Sequence, residues 1–145
     1  MKKLIVCPKS SGNTHKVCDY VSKRSDFELE VVGSNNNTDL KECEVLILSS
    51  GVYGGHAHKN LLNFVKNLKS NNVNPDVKIY LFLTWFGMGS SNEAARKEIN
   101  DLLAQNGLKL EEEYINCYGQ GMVIIKRNHP DYNDKEKVLT WAREL

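Results

Sequence analysis

The chain has 145 residues, with 19 lysines and arginines against 18 acids for a net charge of +1, and 41% hydrophobic and 26% charged residues. That balance is globular and speaks against a disordered, collagen-like or coiled-coil chain, and the length suits one domain with one core. The charges are mixed along the sequence rather than gathered into a basic stripe, which argues against nucleic acid as a partner.

In chain order, Leu4 to Cys7 is a continuous apolar run of strand length, followed by a polar loop and a helix over Asn13 to Lys23 with Val17, Cys18 and Val21 on one face. Phe27 to Val32 alternates, with Glu28 and Glu30 between Phe27, Leu29 and Val31, as an edge strand does. An Asn-rich turn at Ser34 to Thr38 leads to a second apolar run, Val45 to Leu48. A helix over Lys59 to Lys69 places Leu61, Leu62, Val65 and Leu68 at helical spacing, and another solvated turn, Asn71 to Asn74, precedes the third run, Ile79 to Leu83. Ser90-x-x-Glu93 reads as a capping box before a helix with a buried stripe of Ala95, Ile99, Leu102 and Leu103, closed by a left-handed Gly107. Glu111 to Cys117 is a more polar fifth strand, and a last helix from about Asp134 to Leu145 turns Val138, Leu139, Trp141 and Ala142 inward.

Continuous apolar strands alternating with helices predict an α/β class: a doubly wound three-layer sandwich with a parallel sheet covered on both faces, spanning 1–145 as a single domain. In such a sheet ligands bind beyond the carboxyl ends of the strands, so the loops that matter are Pro8 to Asn13, Ser49 to His58 and Thr84 to Asn92. No window approaches the ~18 apolar residues of a membrane span, and the run after Lys2-Lys3 is far shorter than a secretory signal. The four cysteines, Cys7, Cys18, Cys43 and Cys117, form no CxxC pair and no zinc spacing, and read as reduced, buried thiols in a cytoplasmic protein without a metal site.

The first loop, Lys9-Ser10-Ser11-Gly12-Asn13-Thr14, combines a glycine, hydroxyls and an amide at a helix amino terminus, which is the chemistry of a phosphate cradle. It lacks the spacing of a Walker A loop and of GxGxxG. It also lacks the arginine of a C-x5-R phosphatase loop, since the residue six beyond Cys7 is Asn13. The acids of a receiver domain are missing too, with Cys7 and Ser49-Ser50 at the strand ends. Taken alone, the same residues are equally ordinary helix-capping chemistry.

Ser10-Ser11-Gly12-Asn13-Thr14 after a first strand resembles the FMN phosphate loop of the flavodoxin family, T/S-x-T/S-G-N-T, with Lys9 in place of the usual first hydroxyl residue. Lys9 then either adds a charge contact or points to solvent. The second loop, Ser50-Gly51-Val52-Tyr53-Gly54-Gly55-His56, offers a planar side chain and closely approaching backbone, which a flat isoalloxazine ring requires. The third, Thr84-Trp85-Phe86-Gly87-Met88-Gly89, is similar to the family's aromatic-Gly-aromatic-Gly loop, with Phe86 at the usual tyrosine position, Met88 at the following one and Trp85 as an additional plate. Each of Tyr53, Trp85 and Phe86 by itself reads first as a residue closing the core at a strand end, the commoner fate of an aromatic. It is the convergence of the glycine-flanked loops on one edge that favours the ring. The resemblance extends to the Pro-initiated final helix from Asn128-His129-Pro130-Asp131 to Trp141-Ala142, and the few residues after Gly119 fit a short-chain form.

This resemblance implies a five-stranded sheet in the order 2-1-3-4-5 and a monomeric FMN protein. Such a protein passes single electrons between redox partner proteins, a reductase and an acceptor, with no catalytic residue of its own. It implies that a peptide of the second loop, Tyr53-Gly54 or Gly54-Gly55, turns its carbonyl to accept from N5 of the reduced ring. Neither flavin loop contains Asp or Glu, and His56, His58 and Lys59 flank the second, so a less negative potential for the fully reduced flavin than in acidic relatives is expected. Near-neutral charge points to a dedicated partner rather than a general carrier. Two other readings are an FMN-dependent oxidoreductase acting on a small molecule such as a quinone, and a flavodoxin-like interaction module without cofactor.

Overall fold

The structure, a computed structural model, describes residues 2–33, 39–85, 90–118 and 130–145. Among the described residues nine elements follow in chain order: β1 (Lys2–Cys7), α1 (Gly12–Ser22), β2 (Glu28–Val31), β3 (Cys43–Gly51), α2 (Lys59–Lys66), β4 (Lys78–Trp85), α3 (Ser91–Gln105), β5 (Tyr114–Tyr118) and α4 (Tyr132–Arg143). The strands form one parallel sheet in the order β2-β1-β3-β4-β5.

The apolar runs are continuous because alternate residues serve two cores. Leu4, Val6, Leu46, Leu48, Leu81 and Leu83 face α2 and α3, where Leu61, Val65, Ile99 and Leu103 meet them. Ile5, Cys7, Val45, Ile47 and Phe82 face α1 and α4, against Val17, Cys18, Val21, Val138, Leu139, Trp141 and Ala142. Burial on both faces removes the polar alternate that a half-solvated strand would show. Cys7, Cys18 and Cys43 are buried as thiols, and among the described residues no helix is long and apolar enough to cross a membrane.

Several boundaries differ from the sequence expectation. Strand β3 runs on to Gly51 and β4 to Trp85, because Ser49, Ser50 and Thr84 are buried with their hydroxyls bonded inside the fold. Edge strand β2 ends at Val31, which is exposed, while Val32 turns inward and donates its N–H to the Cys7 carbonyl. The Ser90 capping box does not form: the Ser90 side chain makes no cap bond, and its backbone carbonyl takes the N–H groups of Glu93 and Ala94 instead. A capping box does form one helix later, between Asp131 and Asp134, so α4 starts at Tyr132. Gly107 is left-handed at φ +76°, as expected. The Ser34 to Thr38 turn and the segment after Gly119 lie outside the described residues.

The strand order reverses between β1 and β3, and the carboxyl ends of these two strands open the crevice in which a doubly wound sheet binds ligands.

Candidate functional site

The first loop leaves β1 at Cys7, whose Sγ donates to the Lys9 carbonyl at 3.1 Å, and the Pro8 carbonyl accepts from Asn60 Nδ2 of α2 at 2.9 Å. Ser11 caps α1 in an extended conformation, φ −148° and ψ 170°, without a side-chain cap bond. Ser10 and Ser11 are both exposed, so their hydroxyls stand at the amino terminus of a helix whose dipole favours an anion. Gly12 has φ +92°, and a Cβ there would lie 3.2 Å from Lys9 Cε and 3.6 Å from Nζ. Lys9 therefore folds back over the loop and adds a charge at its mouth. Behind it, the buried Thr14 Oγ1 lies 2.8 Å from Thr84 Oγ1, which sews the first loop to the end of β4. The loop rests on a buried polar seam: Cys18 Sγ donates to Ser49 Oγ at 3.2 Å, and Ser49 Oγ donates to the Val6 carbonyl at 2.6 Å. The Cys18 thiol, hydrogen-bonded to Cys7, holds the Cys7 thiol below its ordinary pKa against the opposing effect of burial, with Lys9 and Ser49 adding to the lowering.

The second loop starts later than expected. Ser50 and Gly51 belong to β3, Ser50 Oγ donates to the Gly51 carbonyl at 2.6 Å, and it accepts from the His58 N–H at 2.8 Å. Val52 is buried and donates its N–H to the Thr84 carbonyl at 3.1 Å. The free part of the loop is a tight reversal in which Tyr53 N–H donates to the His56 carbonyl at 2.8 Å and His56 N–H to the Tyr53 carbonyl at 3.0 Å. Gly54 and Gly55 between them have φ +58° and +85°, and two positive values inside a reciprocally bonded pair define a type I′ turn. The Tyr53 ring folds onto the end of β3, where a Cβ on Gly51 would meet its hydroxyl oxygen at 2.9 Å. It stands edge-on to His58 with centroids 5.7 Å apart, and 49% of the residue stays exposed. Burial, with a contribution from Cys7, pushes the Tyr53 phenol above its ordinary pKa.

The two histidines do not form the pair of free positive charges expected beside this loop. His58 is held below its usual pKa, first by burial and then by Lys9 and Lys59. Its Nδ1 accepts the Asn60 N–H at 3.0 Å and caps α2, so the neutral ring carries its proton on Nε2. His56 Nδ1 lies 2.8 Å from Glu98 Oε2, and Glu98 Oε1 accepts the Ala57 N–H at 3.1 Å. A carboxylate thus reaches a loop that has none in its own sequence. Glu98 sits on α3 and belongs to no motif; only the topology, which places α2 and α3 on one face of the sheet, brings it near.

Of the third loop, Thr84 and Trp85 are strand residues: Thr84 is buried, and Trp85 is partly buried against the core on the α2 and α3 face. Phe86, Gly87, Met88 and Gly89 lie outside the described residues. The structure therefore joins the first loop, the second loop and the end of β4 at one rim of the sheet, through Thr14 to Thr84, Val52 to Thr84 and Asn60 to Pro8.

The profile of a family described as the flavodoxin domain matches residues 4–138. Among curated proteins, none matches the chain. Similar solved structures include oxidised Flavodoxin 1 from Bacillus cereus, with a TM-score of 0.67 at 18% identity, covering 99% of this chain and 96% of that one. The flavodoxin, WrbA-like protein from Agrobacterium tumefaciens has a TM-score of 0.70 at 15% identity, over 99% and 93%. A flavoprotein from Lactobacillus acidophilus, solved in complex with FMN, has a TM-score of 0.61 at 18% identity, over 97% and 98%. At these identities the likeness shows the fold.

Proposed function

We propose, from the premise that this chain belongs to the flavodoxin domain family, that it binds FMN and passes electrons one at a time between a reductase and an acceptor protein. The observation that carries this reading is the pairing at one rim of a glycine-bearing, lysine-covered helix start with a two-glycine type I′ turn beside a half-exposed tyrosine.

The residues fit such a cofactor. Lys9, Ser10, Ser11, Gly12, Asn13 and Thr14 bind the phosphate end: Gly12 admits the turn at φ +92°, Lys9 supplies charge, and Thr14 is fixed from behind by Thr84. Tyr53 provides a planar surface for the ring, and Gly51 leaves room for the tyrosine to lie flat against β3. Bound FMN supplies reversible one-electron chemistry. The chain supplies orientation and tuning, and the Gly54–Gly55 peptide is the part able to respond. Its neighbours Tyr53 and His56 are bonded to each other, so this peptide rotates between type I′ and II′ turns with both ends fixed, and its carbonyl accepts from a ring N–H in one of the two. The buried thiols of Cys7, Cys18 and Cys43 match a reducing, cytoplasmic compartment. Phe86 to Gly89 complete the ring side in this reading.

The test is a fluorescence titration of the apo-protein with FMN and, in parallel, with riboflavin. FMN quenches at one site per chain and binds the more tightly of the two, because only it engages the first loop. Absence of quenching by FMN, or equal affinity for both, overturns the reading.

A further inference from the structure

We propose that Glu98, which lies on α3 outside all three loops, is the positioning residue of the Tyr53–His56 turn and through it sets how tightly the chain holds the flavin ring and at what potential. This rests on the FMN reading above and goes beyond the loop residues.

The turn has little of its own to hold it in place. Its upstream side is anchored where the Val52 N–H donates to the Thr84 carbonyl and its downstream side where the His58 N–H donates to Ser50 Oγ, and its tip consists of two glycines with no side chains to pack. What remains is its contact with α3, made at two successive turns of that helix. A Cβ on Gly55 would sit 3.5 Å from the Ala94 Cβ, in ordinary contact. Four residues on, Glu98 uses both carboxylate oxygens, one on the Ala57 N–H at 3.1 Å and one on His56 Nδ1 at 2.8 Å. A carboxylate only accepts, so His56 carries its proton on Nδ1. Both bonds are charge-assisted and stronger than their neutral counterparts. They are not equivalent. The His56 side chain is 68% exposed, and so exposed a contact contributes little. Ala57 is only 4% exposed, so its N–H has no ready access to water when the acceptor is removed.

Glu98 is not a core residue. The buried stripe of α3 is Ala95, Ile99 and Leu103, whereas Glu98 lines the rim of a surface groove of about 480 Å³ between α2 and α3, beside Leu62 and Leu102. Helix α3 starts directly after the third loop, so one rigid element carries the end of that loop and the clasp on the second.

Three variants test this. Glu98→Ala removes both bonds, Glu98→Asp is one methylene too short to keep both, and Glu98→Gln keeps an acceptor for Ala57 but loses the charge. In the apo-protein, hydrogen exchange at the Ala57 amide accelerates roughly tenfold or more in Glu98→Ala while the amides of β3 keep parental rates. In FMN titrations Glu98→Ala binds roughly tenfold or more weakly, Glu98→Asp falls between, and Glu98→Gln restores most of the affinity. FMN and riboflavin lose affinity by the same factor, since the first loop is untouched, and the potential of the bound flavin shifts in Glu98→Ala. Parental FMN affinity and potential in Glu98→Ala overturn the inference alone, as does a loss in which Ala57 and the β3 amides exchange faster together. Failure of the parent chain to bind FMN overturns the functional reading, and this inference with it.

Discussion

Replacing Gly54 by asparagine separates the stability of the second loop from the redox role proposed for it. Gly54 has φ +58°, and among the described residues no atom lies within 4 Å of where a Cβ on it would stand. Its conformation is that of the left-handed helical region, which asparagine tolerates, and Asn-Gly is the favoured central pair of a type I′ turn. Folding stability is then unchanged or raised by about 0.4–1 kcal/mol, because the variant loses backbone freedom in the unfolded state. A type II′ turn, by contrast, requires glycine at that first central position, and asparagine there costs about 1–3 kcal/mol. If the reduced flavin draws on the carbonyl through this inversion, the penalty falls on the reduced state alone. At ~59 mV for each ~1.4 kcal/mol of a one-electron step, the potential drops by roughly 40–130 mV.

The measurement is a spectroelectrochemical titration of the FMN-loaded variant beside its parent, with urea unfolding of both apo-proteins. Gly55→Asn is the control: at φ +85° it lies further from the left-handed minimum, so it lowers stability, and because φ at this second central residue is negative in a type II′ turn, the penalty falls on the type I′ state and the potential does not drop. An unchanged potential in a Gly54→Asn protein of parental stability would refute the inversion, and a marked loss of stability would show that the turn does not favour the residues a type I′ turn favours.

Three further outcomes follow from contacts at the same rim. Gly12→Ala places a methyl at φ +92°, 3.2 Å from Lys9 Cε; it costs about 1–3 kcal/mol in urea unfolding and weakens FMN binding more than riboflavin binding, so equal losses count against Lys9 as a phosphate partner. Lys9→Gln removes one of the charges that, after burial, hold His58 below its ordinary pKa, so the His58 midpoint rises in an NMR titration. Because the native pKa is the lower one, the parent loses stability as pH falls from about 6.5 through that native value, and the variant loses less over the same window. Thr14→Val leaves the buried Thr84 hydroxyl without its 2.8 Å partner and costs about 1–3 kcal/mol, whereas Thr14→Val with Thr84→Val recovers most of it; additive losses would show that the pair does not interact.

The architecture is legible in the sequence because both faces of β1, β3 and β4 are buried, and a strand buried twice shows as an unbroken apolar run. Where those runs stop, the reading fails for a definite reason. Ser49, Ser50 and Thr84 look like loop residues, yet each hydroxyl finds a partner inside the fold, so the sheet continues through them. Ser90 and Asp131 head the same type of capping pattern, and only Asp131 uses it, because side-chain composition permits a cap and the local backbone decides it.

The glycines and Tyr53 of the candidate loops are legible from composition, since positive φ and a planar side chain are properties of single residues. The electrostatics around them are not, because charge at the loop is a property of neighbours in space. His56 and His58 stand two residues apart in sequence, which predicts that they act together, but one is clasped by Glu98 and the other is kept neutral by burial beside Lys9 and Lys59. In the proposed FMN protein, positive charge near the ring comes from Lys9, whose ammonium folds back over Gly12, and from Lys59 beside His58, while Glu98 opposes them from α3. In the proposed FMN protein, the potential answers to a balance between cations at the loops, Lys9 and Lys59, and a carboxylate on a helix outside them.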